Sequence, residues 1–323
     1  MKHLERFLLF LIFPGLLVAC SGGSGGGGSD IPPPVMISPS NAPAVAGSAF
    51  DTLKGGTVLT LTTRGAVPTS NWVAGDTTSS MKMLAEIING EIQHGFVQGS
   101  ATSLKSVKQS TTSYCLYGGT KTMSQTSSTS GTASYSNCSD VSGVTLNGSM
   151  SMSNMVYTST TLSVNIVYDL SVTTTMPVNT MQMTGDMALS IDLNTFAMTM
   201  SGSRFSMSNS AAGMGNIKLY NYTMVFSGNG ALVAIEFTYA SARIGGSAVF
   251  QMDGASPLVS VGGVFPSSGV AIIRGADSTL IKVTVLGDEN AAGNQVQIEF
   301  SKDSGTTYEA PLYEGWANIS DLI

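Results

Sequence analysis

The chain holds few side chains with the chemistry of a catalytic centre. It contains two histidines, and His3 lies in the N-terminal leader, so a Ser-His-Asp or Cys-His arrangement would have to use His94. The residues around Gln93-His94-Gly95 do not show an oriented base or an oxyanion turn. The carboxylates are scattered, without the paired spacing of a glycoside hydrolase. We therefore expect a protein that is not an enzyme.

Soft metal ligands occur as four Met-x-Met pairs, which begin at Met81, Met150, Met181 and Met198. Thioethers can bind Cu(I), and i, i+2 spacing on a strand puts both sulfurs on one side. Methionine also fills irregular apolar space on a buried face, and packing is the favoured interpretation because no histidine neighbours the pairs. The oxygen-rich turns at 288–290 and 303–305 lack the spacing of an EF-hand. We expect no metal and no cofactor.

Residues 1–19 have a cationic start followed by an apolar run. This pattern is typical of a secretory signal, and the run is too short and too broken by Pro14-Gly15 for a transmembrane helix. Its end, Leu17-Val18-Ala19-Cys20, resembles the lipobox of bacterial lipoproteins. The resemblance implies that Cys20 becomes the lipidated N-terminal residue and that Ser21 directs the protein to the outer membrane. Acyl chains at Cys20 would anchor it stably, on the periplasmic face or at the cell surface.

Once Cys20 is lipidated, Cys115 and Cys138 are the two thiols that remain. An even pair in an exported protein most often forms a disulfide, which at this loop length would stabilise the fold by about 3 kcal/mol in the chain-entropy model. A redox or metal pair is the weaker alternative, because the Cys-x-x-Cys spacing is absent.

Charged residues make up 11% of the chain and its formal net charge is −6. Between Lys121 and Arg204 there is no Lys or Arg. Nucleic acid is therefore excluded as an expected partner, since phosphate binding needs clustered cations.

Composition divides the chain into four parts. The signal peptide covers 1–19, and a Gly/Ser/Pro-rich tether covers 20–48. A mixed segment follows over 49–110, with a short helix predicted over 81–89. Residues 111–323 are predicted to form an antiparallel β domain, because apolar and small polar residues alternate there with period two.

Two hairpins can be paired from the sequence. A turn at Asn194-Thr195 sets Ile191 opposite Met198 and Leu189 opposite Met200. A second turn at Asn229-Gly230 favours a type I′ hairpin and pairs residues 220–226 with 233–239. The parity of the apolar residues changes after Met200, which predicts a β-bulge near 202–204. Farther on, strands are predicted over 270–273, 280–286, 295–300 and 306–312.

The fold class expected from these patterns is mainly β. It is a large antiparallel meander, curved into a half-barrel or sandwich-like, with one short helix. The motifs Cys115-Leu116-Tyr117-Gly118-Gly119, Asn137-Cys138, Leu146-Asn147-Gly148-Ser149 and the tail 296–316 resemble a group of uncharacterised proteobacterial envelope lipoproteins. That resemblance implies a fold and a location and carries no known activity.

Two functions are compatible with the sequence. The first is a non-catalytic structural or surface-interaction role for an outer-membrane-anchored lipoprotein, with another envelope protein as the partner. The second is a lipid or hydrophobic-ligand carrier that uses the Met-rich apolar face.

Overall fold

The computed structural model describes residues 31–54, 109–175, 178–195, 197–209, 217–227, 232–259 and 265–320. Cys20, His94, the helix predicted over 81–89, the pair that begins at Met81 and the turn at Asn229-Gly230 lie outside these residues.

The described residues form two helices and fourteen strands. The helices are α1 (Ala42–Lys54) and α2 (Trp316–Ile319). The strands are β1 (Gln109–Tyr114), β2 (Thr120–Ser127), β3 (Ser130–Val141), β4 (Val144–Tyr157), β5 (Thr161–Thr175), β6 (Val178–Asp192), β7 (Met198–Asn209), β8 (Ile217–Phe226), β9 (Leu232–Ser241), β10 (Gly246–Met252), β11 (Gly269–Arg274), β12 (Leu280–Val285), β13 (Val296–Ser301) and β14 (Leu312–Glu314).

All fourteen strands belong to one sheet in which each strand pairs with its neighbours in the chain. Every pair for which a register is defined is antiparallel, from β1–β2 to β13–β14. The predicted mainly β class and antiparallel meander are therefore confirmed. The sheet is open and uncurled, with β1 and β14 at its edges, and the rolled and sandwich-like forms are not seen in the described residues.

The alternation of apolar and polar residues sets which side chains are buried. Along β5, Leu162, Val164, Ile166, Tyr168, Leu170 and Val172 are all buried. The residues between them are exposed or half-buried, and Val167 among them is 59% exposed. The β5–β6 ladder runs without a register shift from Thr161–Asp192 to Thr175–Val178. One face of this part of the sheet is thus apolar core and the other is largely polar.

Bulges keep the apolar face continuous where the parity of the sequence changes. On β7 three residues, Gly202 to Arg204, stand opposite two on β6, which confirms the predicted bulge. Phe205 and Met207 consequently join Met200 on the buried face. Three further bulges contain an asparagine with positive φ, at Asn137, Asn154 and Asn221. Asparagine tolerates this left-handed backbone better than most residues.

The predicted hairpin registers are confirmed in part. Ile191 pairs with Met198 and Leu189 with Met200, as predicted. In the β8–β9 hairpin Met224 pairs with Ile235 as predicted, but the pairing shifts by one on either side. Leu219 lies opposite Tyr239 in place of the predicted Tyr220, because the bulge at Asn221 adds one residue to β8. Phe226 faces Leu232 instead of Val233, because a second register shift follows Val225.

Helix α1 covers the sheet over β9 and β11–β13 and also contacts α2. The Phe50 ring meets Phe250 edge-on at 5.7 Å and Trp316 at 5.0 Å, and Trp316 stacks on Phe265 at 4.4 Å. The Tyr239 hydroxyl donates to the Val45 carbonyl at 2.9 Å. Neither described helix is long and apolar enough to cross a membrane.

Residues 31–48 differ from the tether predicted over 20–48. Pro34 bridges to Ser247 on β10, and Ile37 is buried. Helix α1 then begins at Ala42 and crosses the predicted boundary at residue 48. Proline is tolerated in the first turn of a helix, where an amide hydrogen would lack a partner, so Pro43 is compatible with α1.

Candidate functional site

The exposed side chains of β3–β8 form one continuous surface, which we call the polar face. Residues paired directly across a sheet share a face. Ser149 pairs with Asp169, Ser151 with Val167, and Asn165 with Ala188. These side chains are exposed, while their chain neighbours Met150, Ile166 and Met187 are buried. The polar face therefore lies opposite the Met-rich core.

Two open depressions lie on the polar face. The larger, about 500 Å³, crosses β5–β8 and is bordered by Asn165, Val167, Ala188, Ser201, Asn221 and Thr223 among others. The smaller, about 290 Å³, crosses β3–β5 and is bordered by Thr132, Ser134, Ser149, Ser151, Val167 and Asp169 among others. Val167 borders both depressions, so they adjoin at that side chain, and we call the two together the trough.

Asp186 fixes the backbone on the edge of the larger depression. Its Oδ2 accepts the Ser203 amide at 2.8 Å, and its Oδ1 accepts the Ser203 hydroxyl at 2.6 Å and the Arg204 amide at 3.0 Å. The two amides lie in the β7 bulge, where the regular β6–β7 pairing is interrupted. One carboxylate thus replaces the backbone acceptors that regular pairing would supply.

Two tyrosines lie over glycines beneath the same bulge. Tyr168 pairs with Gly185, and Tyr222 pairs with Gly202. A Cβ on Gly202 would lie 2.7 Å from the Tyr222 ring and 2.3 Å from the Asp186 carbonyl oxygen, so only glycine fits there. The Tyr222 hydroxyl donates to that carbonyl oxygen at 2.7 Å.

Burial keeps both phenols neutral. It is the main cause that raises the pKa of Tyr168 well above its usual value, with the neighbouring Tyr222 contributing. Burial also raises the pKa of Tyr222, and the Asp186 charge adds to that rise. The Tyr222 hydroxyl therefore keeps its hydrogen bond to the Asp186 carbonyl oxygen to a higher pH than an exposed phenol would, and the two tyrosines are a structural support beneath the trough.

The polar face is chemically suited to recognition by hydrogen bonds. Its side chains are mostly short hydroxyl and amide groups, with carboxylates at Asp169 and Asp186. No Lys or Arg occurs from residue 122 to 203. Apart from Arg204 on β7 and Lys218 on β8, a partner would therefore meet short donors and acceptors rather than flexible charged chains.

The predicted disulfide is confirmed. Cys115 and Cys138 are bonded, with Cα atoms 5.4 Å apart, and both are buried. Asp140 lies beside them, and its Oδ1 accepts the Leu116 amide at 2.9 Å. These three residues are the one group of three potential metal-ligating Cys, His, Asp or Glu side chains among the described residues. The disulfide uses both thiols, which leaves Asp140 without a thiolate partner for a metal.

The described Met-x-Met pairs lie in the core. Met150, Met152, Met181, Met183, Met198 and Met200 are all buried. Met183 stands between Leu170 and Met207, and Met200 stands between Leu189 and Met224. Apolar neighbours on both sides are what the packing interpretation predicts.

Sequence reasoning missed Asp186 and the trough. Asp186 occupies an ordinary polar position in the alternation of β6, and its role depends on the bulge of the next strand. The parity change after Met200 was the one available signal, since it located the bulge that Asp186 caps. Comparison with known proteins found no matching family model, curated protein or solved structure.

Proposed function

We propose that this protein is an outer-membrane-anchored lipoprotein with a non-catalytic structural or surface-interaction role, and that its polar face binds another envelope protein. The anchor would be the lipidated Cys20 of the lipobox-like sequence. The observation that carries the binding role is the trough, whose two adjoining depressions together cross β3–β8.

The shape and chemistry of the trough support an extended polar partner. Ser, Thr and Asn have few rotatable bonds, so ordering them on binding costs little side-chain entropy. The β5–β6 ladder beneath them is continuous, and the carboxylate of Asp186 braces the adjoining bulge of β7. A rigid surface of short side chains can bind without first reorganising.

The alternative function, a carrier of lipid or another hydrophobic ligand, would need free volume along the Met-rich face. Met183, Met200 and Phe205 are each fully buried, and their cross-strand neighbours are apolar. The two depressions described above lie on the opposite face. These features favour a filled core, and the binding role is therefore preferred.

Membrane anchoring is tested by fractionation of cells that express Cys20→Ala. We expect the wild-type chain in the outer-membrane fraction and the variant in a soluble or unprocessed form. Continued recovery of processed Cys20→Ala with the outer membrane, under conditions that extract peripheral proteins, would contradict the proposed anchor.

Binding by the polar face is tested with two charge substitutions on the same strand. Ala188 borders the larger depression, whereas Ser190 is also exposed on β6 but does not border either depression. In-cell crosslinking of the wild-type protein should give a discrete adduct that Ala188→Arg loses and Ser190→Arg keeps. An adduct that both variants keep would show that the trough is not the binding surface.

A further inference from the structure

Three large side chains project from the turn between β1 and β2. Tyr114 is 91% exposed, Leu116 75% and Tyr117 60%. No charged residue occurs from Gln109 to Thr120. We call the turn from Tyr114 to Gly119, which carries these three side chains, the tyrosine loop. An exposed apolar cluster of this kind on an ordered turn is a feature of interaction sites.

The tyrosine loop is held rigidly. Its Cys115 is tied to β3 through the disulfide, and Gly118 donates to the Cys115 carbonyl at 3.2 Å. Tyr117 donates its amide to the Ser139 carbonyl at 2.7 Å, and Ser139 donates back to the Gly118 carbonyl at 3.0 Å. The turn therefore presents its side chains in a fixed arrangement, and little backbone entropy remains to be lost on binding.

The tyrosine loop lies at the same end of the strands as the point where the chain joins the sheet. In an antiparallel meander, β1 ends and β10 begins at the same end. Ser247, at the start of β10, is the partner of Pro34. We call this the entry end. Nine strand spacings of about 4.8 Å separate β1 from β10, so the two points are no more than roughly 43 Å apart across the sheet.

Residues 21–30 connect Cys20 to Ile31, where the described part begins. Fully extended, the eleven residue steps from Cys20 to Ile31 span no more than roughly 40 Å. An anchor at Cys20 would therefore keep the entry end within reach of a bilayer surface.

The charges along the strands are divided unevenly between the two ends. The halves of β1–β14 and the turns nearest the entry end contain six Lys or Arg and six Asp or Glu. They are Lys121, Lys218, Arg243, Arg274, Lys282 and Lys302, with Asp140, Asp169, Asp277, Glu299, Asp303 and Glu309. The far halves contain six acidic residues and, among those described, no Lys or Arg. They are Asp192, Glu236, Asp253, Asp288, Glu289 and Glu314. Arg204 and Asp186 lie side by side near mid-strand and belong to neither end.

This division orients the sheet beside an anionic surface. Among the described residues, the far end carries a net negative charge and would be repelled, whereas the entry end is close to neutral and holds the cations. The anchor, the tyrosine loop and the charge division therefore favour the same end of the sheet.

We propose that the entry end faces a lipid bilayer and that Tyr114, Leu116 and Tyr117 insert into its interfacial layer as a second attachment point. This inference rests on the proposed anchor for proximity to the membrane. Tyrosine prefers the interface because its ring is apolar and its hydroxyl is polar, and Leu116 adds apolar area that the acyl boundary can bury. The side chains project from a turn and can enter a fluid surface without a matching pocket.

The test compares two tyrosines at opposite ends of the sheet. Tyr117 is 60% exposed in the tyrosine loop, and Tyr157 is 57% exposed at the far end of β4. Each is replaced by tryptophan in the full lipidated chain, which is reconstituted in vesicles of phosphatidylethanolamine and phosphatidylglycerol with brominated acyl chains. The fluorescence gained over the parent protein is then measured, because bromine quenches tryptophan at short range.

We expect brominated lipid to quench at least half of the fluorescence added by Tyr117→Trp and almost none of that added by Tyr157→Trp. Equal quenching at both positions, or none at Tyr117→Trp, would overturn the proposal. If Tyr117→Trp is unquenched and becomes shielded only when other envelope proteins are added, the loop is a protein-binding site instead.

A second measurement separates this inference from the proposed anchor. Cys20→Ala is combined with Tyr114→Ser, Leu116→Ser and Tyr117→Ser, and vesicle binding is compared with Cys20→Ala alone by flotation. We expect the triple change to weaken binding at least tenfold, whereas Tyr157→Ser should not alter it. Failure of the anchor would appear in cell fractionation with this difference intact. Failure of the loop would appear here, as equal binding of the two proteins, with fractionation unchanged.

Discussion

The carboxylate of Asp186 gives the sharpest test of how the trough is supported. Asp186→Ala removes the acceptor for the Ser203 amide, the Ser203 hydroxyl and the Arg204 amide. A hydrogen bond to a charged group contributes about 1.5–3 kcal/mol where water is excluded. These three are exposed, so water will partly replace the lost acceptor. We therefore expect Asp186→Ala to lower the free energy of unfolding by about 2 kcal/mol.

Asp186→Asn separates the hydrogen bonds made by Oδ1 from the one made by Oδ2. Oδ1 accepts two of the three hydrogen bonds, and the asparagine oxygen can keep both. The bond from the Ser203 amide to Oδ2 is lost, because an amide nitrogen cannot accept it. Asp186→Asn should therefore lower the free energy of unfolding by less than Asp186→Ala does, although the loss of the charge weakens the two hydrogen bonds that remain.

Equilibrium urea unfolding measures both changes, read as a shift in midpoint at constant slope. The matched control is Asp169→Ala, a carboxylate on the same face in the regularly paired part of β5. Asp169→Ala should change the free energy of unfolding by no more than about 0.5 kcal/mol, as is usual for surface substitutions. If Asp186→Ala unfolds at the wild-type urea concentration, the carboxylate does not support the bulge.

Two further predictions concern other parts of the fold. Gly47→Ala would place a Cβ 1.6 Å from the Ile319 carbonyl oxygen. Replacing glycine by alanine favours a helix by about 1 kcal/mol, but overpacking costs about 1–3 kcal/mol or more. We therefore expect Gly47→Ala to lower the melting temperature of the protein. A higher melting temperature would contradict the close contact with Ile319. Hydrogen bonds, chiefly from Thr307 and then from Ser301, lower the pKa of Asp303 from 3.8 to about 2. The stability that this contributes is present above about pH 4 and is lost as the pH falls through about 2. When the free energy of unfolding is measured against pH, Asp303→Asn should therefore lose less stability than the wild-type protein between about pH 4 and 2. An equal loss in the two proteins would contradict the assignment.

The sequence predicted those features that depend on local parity. The alternation on β5 and β6 fixes which side chains are buried, because a shift of one residue would expose the entire apolar set. The parity change after Met200 therefore located a bulge without any structure. The disulfide was likewise predictable, since Cys115 and Cys138 are the pair left once Cys20 is assigned to lipidation.

Other features depend on contacts distant in the chain and were not predictable. Helix α1 begins in a stretch whose Pro, Ala and Ser content predicts a tether. It is stabilised by distant contacts such as those of Phe50 with Phe250 and Trp316. The strand predicted over 306–312 is wrong except at Leu312, where β14 begins. Asp303 instead accepts hydrogen bonds from the amide and hydroxyl of Thr307, which folds that segment into a turn.

The trough follows from the same irregularity that keeps the core continuous. The extra residue in β7 returns Phe205 to the buried face, and the bulge that accommodates it turns two amides towards Asp186. Gly202 has no side chain at that point, because the Asp186 carbonyl and the Tyr222 ring occupy the space, and it borders the larger depression. Changes at Gly202 or Asp186 would therefore disturb core and surface together. Ala188 is exposed and regularly paired, so a substitution there can test the surface while leaving the bulge intact.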